Sequence, residues 1–201
     1  MTVSTLFIRS LCEVARIIDA TDTRHYLHGV FVESYDGYAI MVATDGHRLL
    51  ARRIEDESIK PIPSFIMPAH VLKQWKFKPS DDDRKVGIIS RSKGEFHVID
   101  GDVTRSFKGV DGTYPDWRRV IPSSVNETWG QFNWEYMHDF AKIGKALGIG
   151  APRLVMNGEG PALIKFKDDD TIGVLMPMRA DKPNAIAPDW INHKPAIKAA
   201  A

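Results

Sequence analysis

Apolar residues recur along the first stretch of the chain at the spacing of an amphipathic helix. Positions i, i+4, i+7 and i+11 are taken by Phe7, Leu11, Val14 and Ile18. The charged residues of the same stretch fall elsewhere around the helix axis and are Arg9, Glu13, Arg16 and Asp19. The pattern predicts an opening helix with one apolar and one charged face.

Three segments rich in β-branched and aromatic residues follow this helix. They are GVFVES, YAIMVAT and RLLARRI. The pairs Asp36-Gly37 and Asp45-Gly46 separate them, and such pairs suit tight hairpin turns because glycine accepts a positive φ. The sequence therefore predicts an antiparallel meander of three strands behind the helix.

The same order of elements recurs twice along the chain. PSFIMP leads into the short helical segment HVLKQWKF and then into VGIIS, EFHVI and TRSFKGV, with turns at Gly94 and Asp100-Gly101. A third copy runs from WGQF through the helix NWEYMHDFAKIGKAL, ended by Gly148, into RLVM, PALIKF and TIGVLMPM. Three units of strand, helix and three strands, spaced by about 60 residues, indicate an internal repeat and an α+β fold.

The connections divide the chain into three predicted parts. Residues 111–128 contain Pro115 and Pro122, which disfavour helix and favour extended backbone, so this segment is interpreted as a connector. Beyond Arg179 the apolar periodicity stops, and three prolines indicate a tail that is partly disordered or docked in extended form. The expected parts are residues 1–121, residues 122–180 and the tail 181–201.

Composition limits the classes of protein to consider. With 27 basic and 26 acidic residues the formal charge is +1, so any positive surface for DNA has to be local. No apolar run is long enough for a membrane span, and the first residues do not resemble a secretory signal. The single cysteine, Cys12, has no CxxC partner and fits a reducing compartment. A cytoplasmic protein without membrane contact is expected.

Three separated stretches carry a family resemblance. They are ATDGHRL at 43–49, YPDWRRVIP at 114–122 and VLMPMR at 174–179. Together, and in this order, they resemble the bacterial DNA sliding clamp, the β subunit of DNA polymerase III. TRHYLHGVFVE and the Asn133-x-x-Tyr136 pair are also similar to that family. The resemblance implies the DNA-clamp fold, built from repeated β-α-β-β-β units.

This chain departs from the family pattern in its length. Residues 1–121 resemble the middle domain with two units, and residues 122–180 resemble only half of the family's carboxy-terminal domain. No segment here resembles the amino-terminal domain, so the family's two-chain head-to-tail ring does not follow. Three units per chain would need four chains to supply the twelve units of a family ring.

The resemblance also implies a surface pocket that binds short peptides with hydrophobic ends. Its expected residues are Thr44, Gly46, His47, Arg48, Leu49, Pro115, Arg119, Val120, Asn133, Tyr136, Val174, Met176, Pro177, Met178 and Arg179. The apolar members suit leucine or phenylalanine, and the polar ones are expected at the rim, where they orient the peptide. Taken alone, residues 44–46 equally suit a hairpin turn without a ligand, and residues 176–178 an apolar strand end.

DNA contacts are a further implication of the resemblance. The expected residues are Arg24, His25, Tyr26, Lys73, Lys76, Lys142 and Lys145, with Arg9, Arg16 and Lys78 as further candidates. Phosphate contacts need only local positive charge, and Tyr26 could stack on a base. Each of these side chains equally suits ordinary solvated surface.

The expected function is that of a sliding-clamp-like processivity factor of DNA replication, located in the cytoplasm at the nucleoid. Its expected partners are DNA polymerase or clamp-loader subunits, double-stranded DNA and further copies of the chain. The alternative is an interaction protein or decoy of a phage or mobile element that keeps the pocket without encircling DNA. Either could be regulated by the tail, because it follows the VLMPMR stretch and could cover the pocket.

Catalysis and cofactors are not expected. The chain has no nucleophile elbow, Walker loop or Cys-His pair at the required spacing. His47 has no second ligand at metal spacing, and the acidic runs Asp81–Asp83 and Asp168–Asp170 fall in predicted loops. No catalytic residue, metal site or cofactor is therefore assigned.

Overall fold

The computed structural model describes residues 2–75, 85–90, 94–179 and 191. Its strands are β1 Thr2–Ser4, β2 Gly29–Tyr35, β3 Tyr38–Thr44, β4 Arg48–Glu55, β5 Phe65–Pro68, β6 Lys85–Ser90, β7 Glu95–Asp100, β8 Val103–Lys108, β9 Arg153–Val155, β10 Ala162–Lys165 and β11 Thr171–Leu175. Its α-helices are α1 Thr5–Val14, α2 Ala69–Leu72 and α3 Trp134–Leu147. The α+β fold class is confirmed.

Two antiparallel sheets hold these strands. One has four strands in the order β1-β6-β7-β8, and the other has seven in the order β5-β2-β3-β4-β11-β10-β9. The three predicted meanders are all present, and the hairpin glycines Gly37 and Gly46 have φ values of 86° and 85°. Because glycine has no Cβ, it adopts this left-handed backbone at little cost.

The opening helix is buried between the two sheets. Ser4 caps it by accepting a hydrogen bond from the Phe7 amide at 3.4 Å, and Phe7, Leu11 and Val14 are fully buried. α1 contacts β3 and β4 of one sheet and β6 of the other. The helix is shorter than predicted: a 3-10 turn takes over at Ala15–Ile17, and Ile18 lies beyond it with extended backbone.

The first strand of each of the first two units crosses to the other unit's sheet. β1 precedes α1 but pairs with β6, and β5 precedes α2 but pairs with β2. The sequence pattern did not predict β1, because three residues are too few to show alternation. This exchange ties the described residues of the first two units into a single packed body.

The third unit joins the first through the edges of their meanders. β11 pairs with β4 from Thr171↔Arg52 to Leu175↔Arg48, and α3 lies beside α1 on the same face of the sheet. Asn133 caps α3 by accepting from the Glu135 amide at 2.9 Å, and Gly148 ends it with φ 69°. One continuous apolar core therefore runs under both units.

Three local predictions are wrong. WGQF is not a strand, since residues 129–132 have no strand partner among the described residues. α2 is a single turn rather than a helix through Phe77, and residues 76–84 lie outside the described part. The connector is not extended throughout, because Trp117–Val120 forms a 3-10 turn between its two prolines.

Several predicted features lie outside the described residues. They are Lys76, Lys78, the acidic run at 81–83 and almost all of the tail 181–201. Within the described part of the chain, none of the helices has the length and apolar character needed to cross a membrane.

Candidate functional site

A cavity of about 220 Å³ lies on the face of the seven-stranded sheet opposite α1 and α3. Its lining combines the ends of β4 and β11 with the loop before β2 and the connector. The lining residues are Arg24, Tyr26, Leu27, Thr44, Gly46, Arg48, Leu49, Pro115, Asp116, Trp117, Val120, Val174 and Met176. A wider hollow of about 620 Å³ beside β5 includes none of the predicted peptide residues.

The floor of the cavity is apolar because β4 and β11 place two aliphatic side chains there. Leu49 and Val174 are register partners, and each is almost fully buried. Leu27 and Trp117 join them in a second apolar cluster, separate from the core that holds α1 and α3. This arrangement can receive an apolar side chain of a ligand and remove it from water.

The connector is fixed over this face by Tyr114. Its ring stacks on Phe31 with centroids 4.7 Å apart, and its hydroxyl donates to the Val42 carbonyl at 3.3 Å. Burial raises the pKa of this hydroxyl above its ordinary value, so it stays a neutral donor. Tyr114 therefore holds Pro115 and Trp117 at the cavity.

The turn between β3 and β4 is organised by the Asp45 carboxylate. Its Oδ1 accepts from the amides of His47 and Arg48, at 2.9 and 2.8 Å. The Thr44 hydroxyl donates to the Arg48 carbonyl at 2.8 Å and accepts from the Gly46 amide at 3.1 Å. The ATDGHRL stretch thus forms a rigid turn whose polar atoms are largely used within it.

Arg48 is held at the wall of the cavity rather than free at its rim. Nε donates to Asp45 Oδ2 at 2.9 Å, and Nη1 donates to Asp139 Oδ2 of α3 at 2.7 Å. The guanidinium also lies over the Tyr136 ring, with Cζ 4.4 Å from the centroid. Arg48 therefore joins the first and third units at the cavity wall, and its contact with a peptide stays a prediction.

The mouth of the cavity combines partly exposed apolar side chains with charged ones. Met176 and Val120 are 40% and 43% exposed, and the Met176 amide donates to the His47 carbonyl at 2.8 Å. Arg24 pairs with Asp22 at 2.5 Å and donates to the Asp45 carbonyl at 3.1 Å. The hydrogen bond with Asp22 raises the pKa of Arg24 and lowers that of Asp22, so both remain charged.

The structure brings about half of the predicted peptide residues together around this cavity. Those that line it are Thr44, Gly46, Arg48, Leu49, Pro115, Val120, Val174 and Met176. Those that do not line it are His47, Arg119, Asn133, Tyr136, Pro177, Met178 and Arg179.

The second group has other positions. The His47 ring stacks near Tyr136, with centroids 6.3 Å apart, and so adjoins the Arg48 joint. Asn133 caps α3, and the Met178 amide donates to the Gln131 carbonyl at 2.7 Å. These residues form a neighbouring surface rather than the cavity itself.

The prediction missed several lining residues, of which Trp117 contributes the largest side chain. Trp117 lies within the YPDWRRVIP stretch, and the available signal was an aromatic residue two positions after Pro115. Leu27 and Asp116 also line the cavity without having been predicted. Arg24 and Tyr26 line it as well, although they were predicted to contact DNA.

The predicted DNA residues therefore divide between two faces. Arg24 and Tyr26 lie at the cavity, with exposed His25 beside them. Lys142 and Lys145 are exposed on α3, on the opposite face of the seven-stranded sheet, and exposed Lys73 follows α2. Arg16 pairs with Glu13 at 2.6 Å, and Arg9 is half-buried. Among the described residues, no group of histidine, cysteine and carboxylate side chains could hold a metal ion.

Comparison with known proteins points to one family. The sequence profile described as "DNA polymerase III beta subunit, central domain" matches residues 3–116. The beta sliding clamp of Pseudomonas aeruginosa is 33% identical over 124 residues, covering 55% of this chain and 32% of that protein. The beta sliding clamp of Staphylococcus epidermidis is 24% identical over 149 residues, covering 74% of this chain and 39% of that protein.

The fold has solved counterparts as well. The crystal structure of the DNA polymerase III subunit beta from Pseudomonas aeruginosa superposes with a TM-score of 0.71 at 20% identity. The match covers 90% of this chain and 66% of that chain, and it concerns the fold alone. Aligned segments thus span only about a third of the two curated relatives, 32% and 39% of their lengths.

Proposed function

This chain belongs to the DNA polymerase III beta subunit family, the bacterial sliding clamps, and from that premise we propose that it is a non-enzymatic accessory protein of DNA replication. It captures a short peptide of a polymerase or clamp-loader subunit in the cavity between β4, β11 and the connector. The observation that carries this proposal is the apolar floor of Leu49 and Val174 in a cavity that the partly exposed Met176 also lines.

The dimensions of the cavity favour a peptide end over a cofactor. A volume of about 220 Å³ is below the range of about 300–1,000 Å³ in which small-molecule sites usually fall. It has room for large apolar side chains of a peptide whose backbone remains at the surface. Leucine and phenylalanine are the side chains that such a floor favours.

The mouth supplies adaptability and direction. Met176 can change rotamer to fit different side chains at little cost, because its thioether chain is unbranched. Arg24 and Asp116 both line the cavity, and their opposite charges can orient a bound peptide. The site therefore suits several partners that share a hydrophobic end.

A matched pair of methionines tests this proposal. A fluorescent peptide with adjacent leucine and phenylalanine residues near its carboxyl end is titrated with the intact protein and its variants. Met176→Ala is expected to weaken binding about tenfold, since losing ~1.4 kcal/mol of apolar contact changes a dissociation constant tenfold. Met178→Ala is the control, because Met178 is similarly exposed but does not line the cavity. Equal losses for both variants, or no binding by the unaltered protein, would refute the pocket.

DNA contact is the second part of the proposed function. Lys142 and Lys145 lie exposed on α3, and phosphate contacts there require no base recognition. Reversing both charges, as Lys142→Glu with Lys145→Glu, is expected to reduce retention on closed circular DNA and flatten its salt dependence. Lys60→Glu is the control, because Lys60 pairs with Asp36 at a distant hairpin. Retention unchanged by the double variant would exclude α3 as the DNA face.

A further inference from the structure

The first two units follow one rule when they exchange their first strands. In each, the residue that caps the helix pairs with the first residue of the other unit's meander. Ser4 caps α1 and pairs with Lys85 at the start of β6, while Pro68 precedes α2 and pairs with Gly29 at the start of β2. In a complete pair, each unit therefore donates its first strand to the other unit's sheet and receives one in return.

The third unit holds the corresponding segment in position without a strand partner. Asn133 caps α3 with extended backbone, and the Gln131 carbonyl accepts from the Met178 amide at 2.7 Å. In the second unit the Ile66 carbonyl accepts from the Val110 amide at 3.0 Å. Gln131 and Ile66 both lie two residues before the helix cap, so residues 130–132 occupy the place of a first strand.

The acceptor for such a strand is also unpaired in the third unit. β9 is the first strand of its meander, and within the described residues it pairs with β10 alone. A hollow of about 580 Å³ borders it, lined by Leu154, Val155 and Met156 among others. Two large side chains lie at the donor segment, Trp129 and Trp134, which are 68% and 77% exposed. Exposed aromatic residues beside an open sheet edge mark a protein interface.

We propose that the third unit pairs with the third unit of a second copy of this chain about a two-fold axis. The surface carries both a strand to give and an edge to receive, which is the requirement for an isologous interface. A second copy supplies both elements from the same unit that needs them. Applying the pairing rule, Asn133, Phe132 and Gln131 of one copy lie opposite Arg153, Leu154 and Val155 of the other.

This dimer would complete what the single chain leaves open. Each seven-stranded sheet gains one strand next to β9 and becomes eight-stranded, with the second copy's residues 130–132 at its edge. The two α3 helices would then lie near each other, as α1 and α2 do in the first pair of units, where the Cys12 thiol donates to the Leu72 carbonyl at 3.7 Å. The proposal rests on strand topology and does not depend on a ligand in the cavity or on DNA.

Mass in solution is the first test. Sedimentation velocity of the full chain over a concentration series is expected to give twice the monomer mass of 22.6 kDa. A monomer at every concentration would overturn the proposal. A monomer that associates only when a full-length clamp is added would also overturn it, by identifying a different occupant.

Disulfide trapping tests the register. In a Cys12→Ala background, Gln131→Cys combined with Val155→Cys is expected to give a covalent dimer under mild oxidation, because directly opposed positions bring Cβ atoms to about 4.5–5.5 Å. Each single cysteine variant is the control and is expected to give only a background level of covalent dimer. A dimer whose crosslinking does not require both positions would contradict this interface.

A third variant keeps the proposal testable if the cysteines disturb folding. Trp129→Ser with Trp134→Ser removes only exposed side chains and is expected to raise the dimer dissociation constant at least tenfold. Val103→Ser is the matched control, since Val103 is 47% exposed on the open edge of the other sheet. A dimer weakened by the Val103 change instead would place the interface at β8 and overturn the proposal.

Discussion

β4 carries two buried arginines four residues apart, and each reaches an aspartate of the third unit. At one end of the β4–β11 ladder, Arg52 Nη1 donates to Asp168 Oδ2 at 2.7 Å. At the other end, Arg48 Nη1 donates to Asp139 Oδ2 at the same distance. The two ends of one strand pair therefore use the same chemistry to join the units.

Their surroundings differ. Arg52 is enclosed: Nε donates to Ser10 Oγ of α1 at 3.1 Å, and Nη1 also donates to Thr171 Oγ1. Arg48 has the cavity on one side and the Tyr136 ring on the other. A buried ion pair can thus serve assembly alone at one end of a ladder and form part of a cavity wall at the other.

The largest expected effect is a loss of stability when Arg52, the enclosed arginine, is replaced. Arg52→Ala leaves Asp168, Thr171 and Ser10 without their shared donor, and we expect the free energy of unfolding to fall by about 3 kcal/mol. Arg53→Ala is the control, because Arg53 pairs with Asp170 at the surface and such pairs contribute about 0–1 kcal/mol. Urea denaturation measures both, and equal losses would remove the distinction between buried and surface pairs.

Substitutions of the two aspartates distinguish an effect on stability from an effect on peptide binding. Asp139→Asn and Asp168→Asn each weaken a charged hydrogen bond to arginine, and we expect each to lower the free energy of unfolding by about 1–2 kcal/mol. Only Asp139→Asn should also weaken peptide binding, because it releases Arg48 at the cavity wall. The dissociation constant should rise about fivefold, or ~1 kcal/mol. Titration of the labelled peptide checks this, and a similar loss for Asp168→Asn would show that the effect is general destabilisation.

The smallest expected effect concerns two hairpin glycines with the same backbone. Gly37→Ala and Gly46→Ala both place a Cβ at a positive φ, and each should cost about 1 kcal/mol of stability. At Gly46 the new Cβ would lie 2.6 Å from Arg24 Nη2, whereas at Gly37 nothing lies within 4 Å. Peptide affinity should therefore change at Gly46 alone, by about twofold to threefold. Equal affinities would show that Arg24 does not contribute to the mouth.

Elements with strong local signals were predictable from the sequence. The Asp-Gly turns marked the connections from β2 to β3 and from β3 to β4, and the capping Asn133 and the terminal Gly148 bounded α3. Short elements were not: β1 has only three residues, and α2 is a single turn. Their structure depends on pairing with strands far away in the chain, which local patterns do not record.

The same limit applies to the candidate site. The three matched stretches indicated its apolar residues, and Leu49, Val174 and Met176 do line one cavity. Trp117 was missed because nothing local shows that the 3-10 turn folds its ring onto the sheet. The resemblance placed Arg48 among the rim residues, but its ion pair with Asp139 could not be predicted, because the two are 91 residues apart and only the packed α3 brings them together.

By itself the sequence determined the three repeated units, their turns, the α+β class and the likeness to the sliding clamp, because glycine, proline and apolar periodicity act over short distances. Only the tertiary structure decided that β4 pairs with β11, that the first two units exchange strands, and that a strand position and a sheet edge in the third unit lack partners among the described residues. Backbone hydrogen bonds between strands are the same for every sequence, so their pairing is chosen by packing across the whole fold.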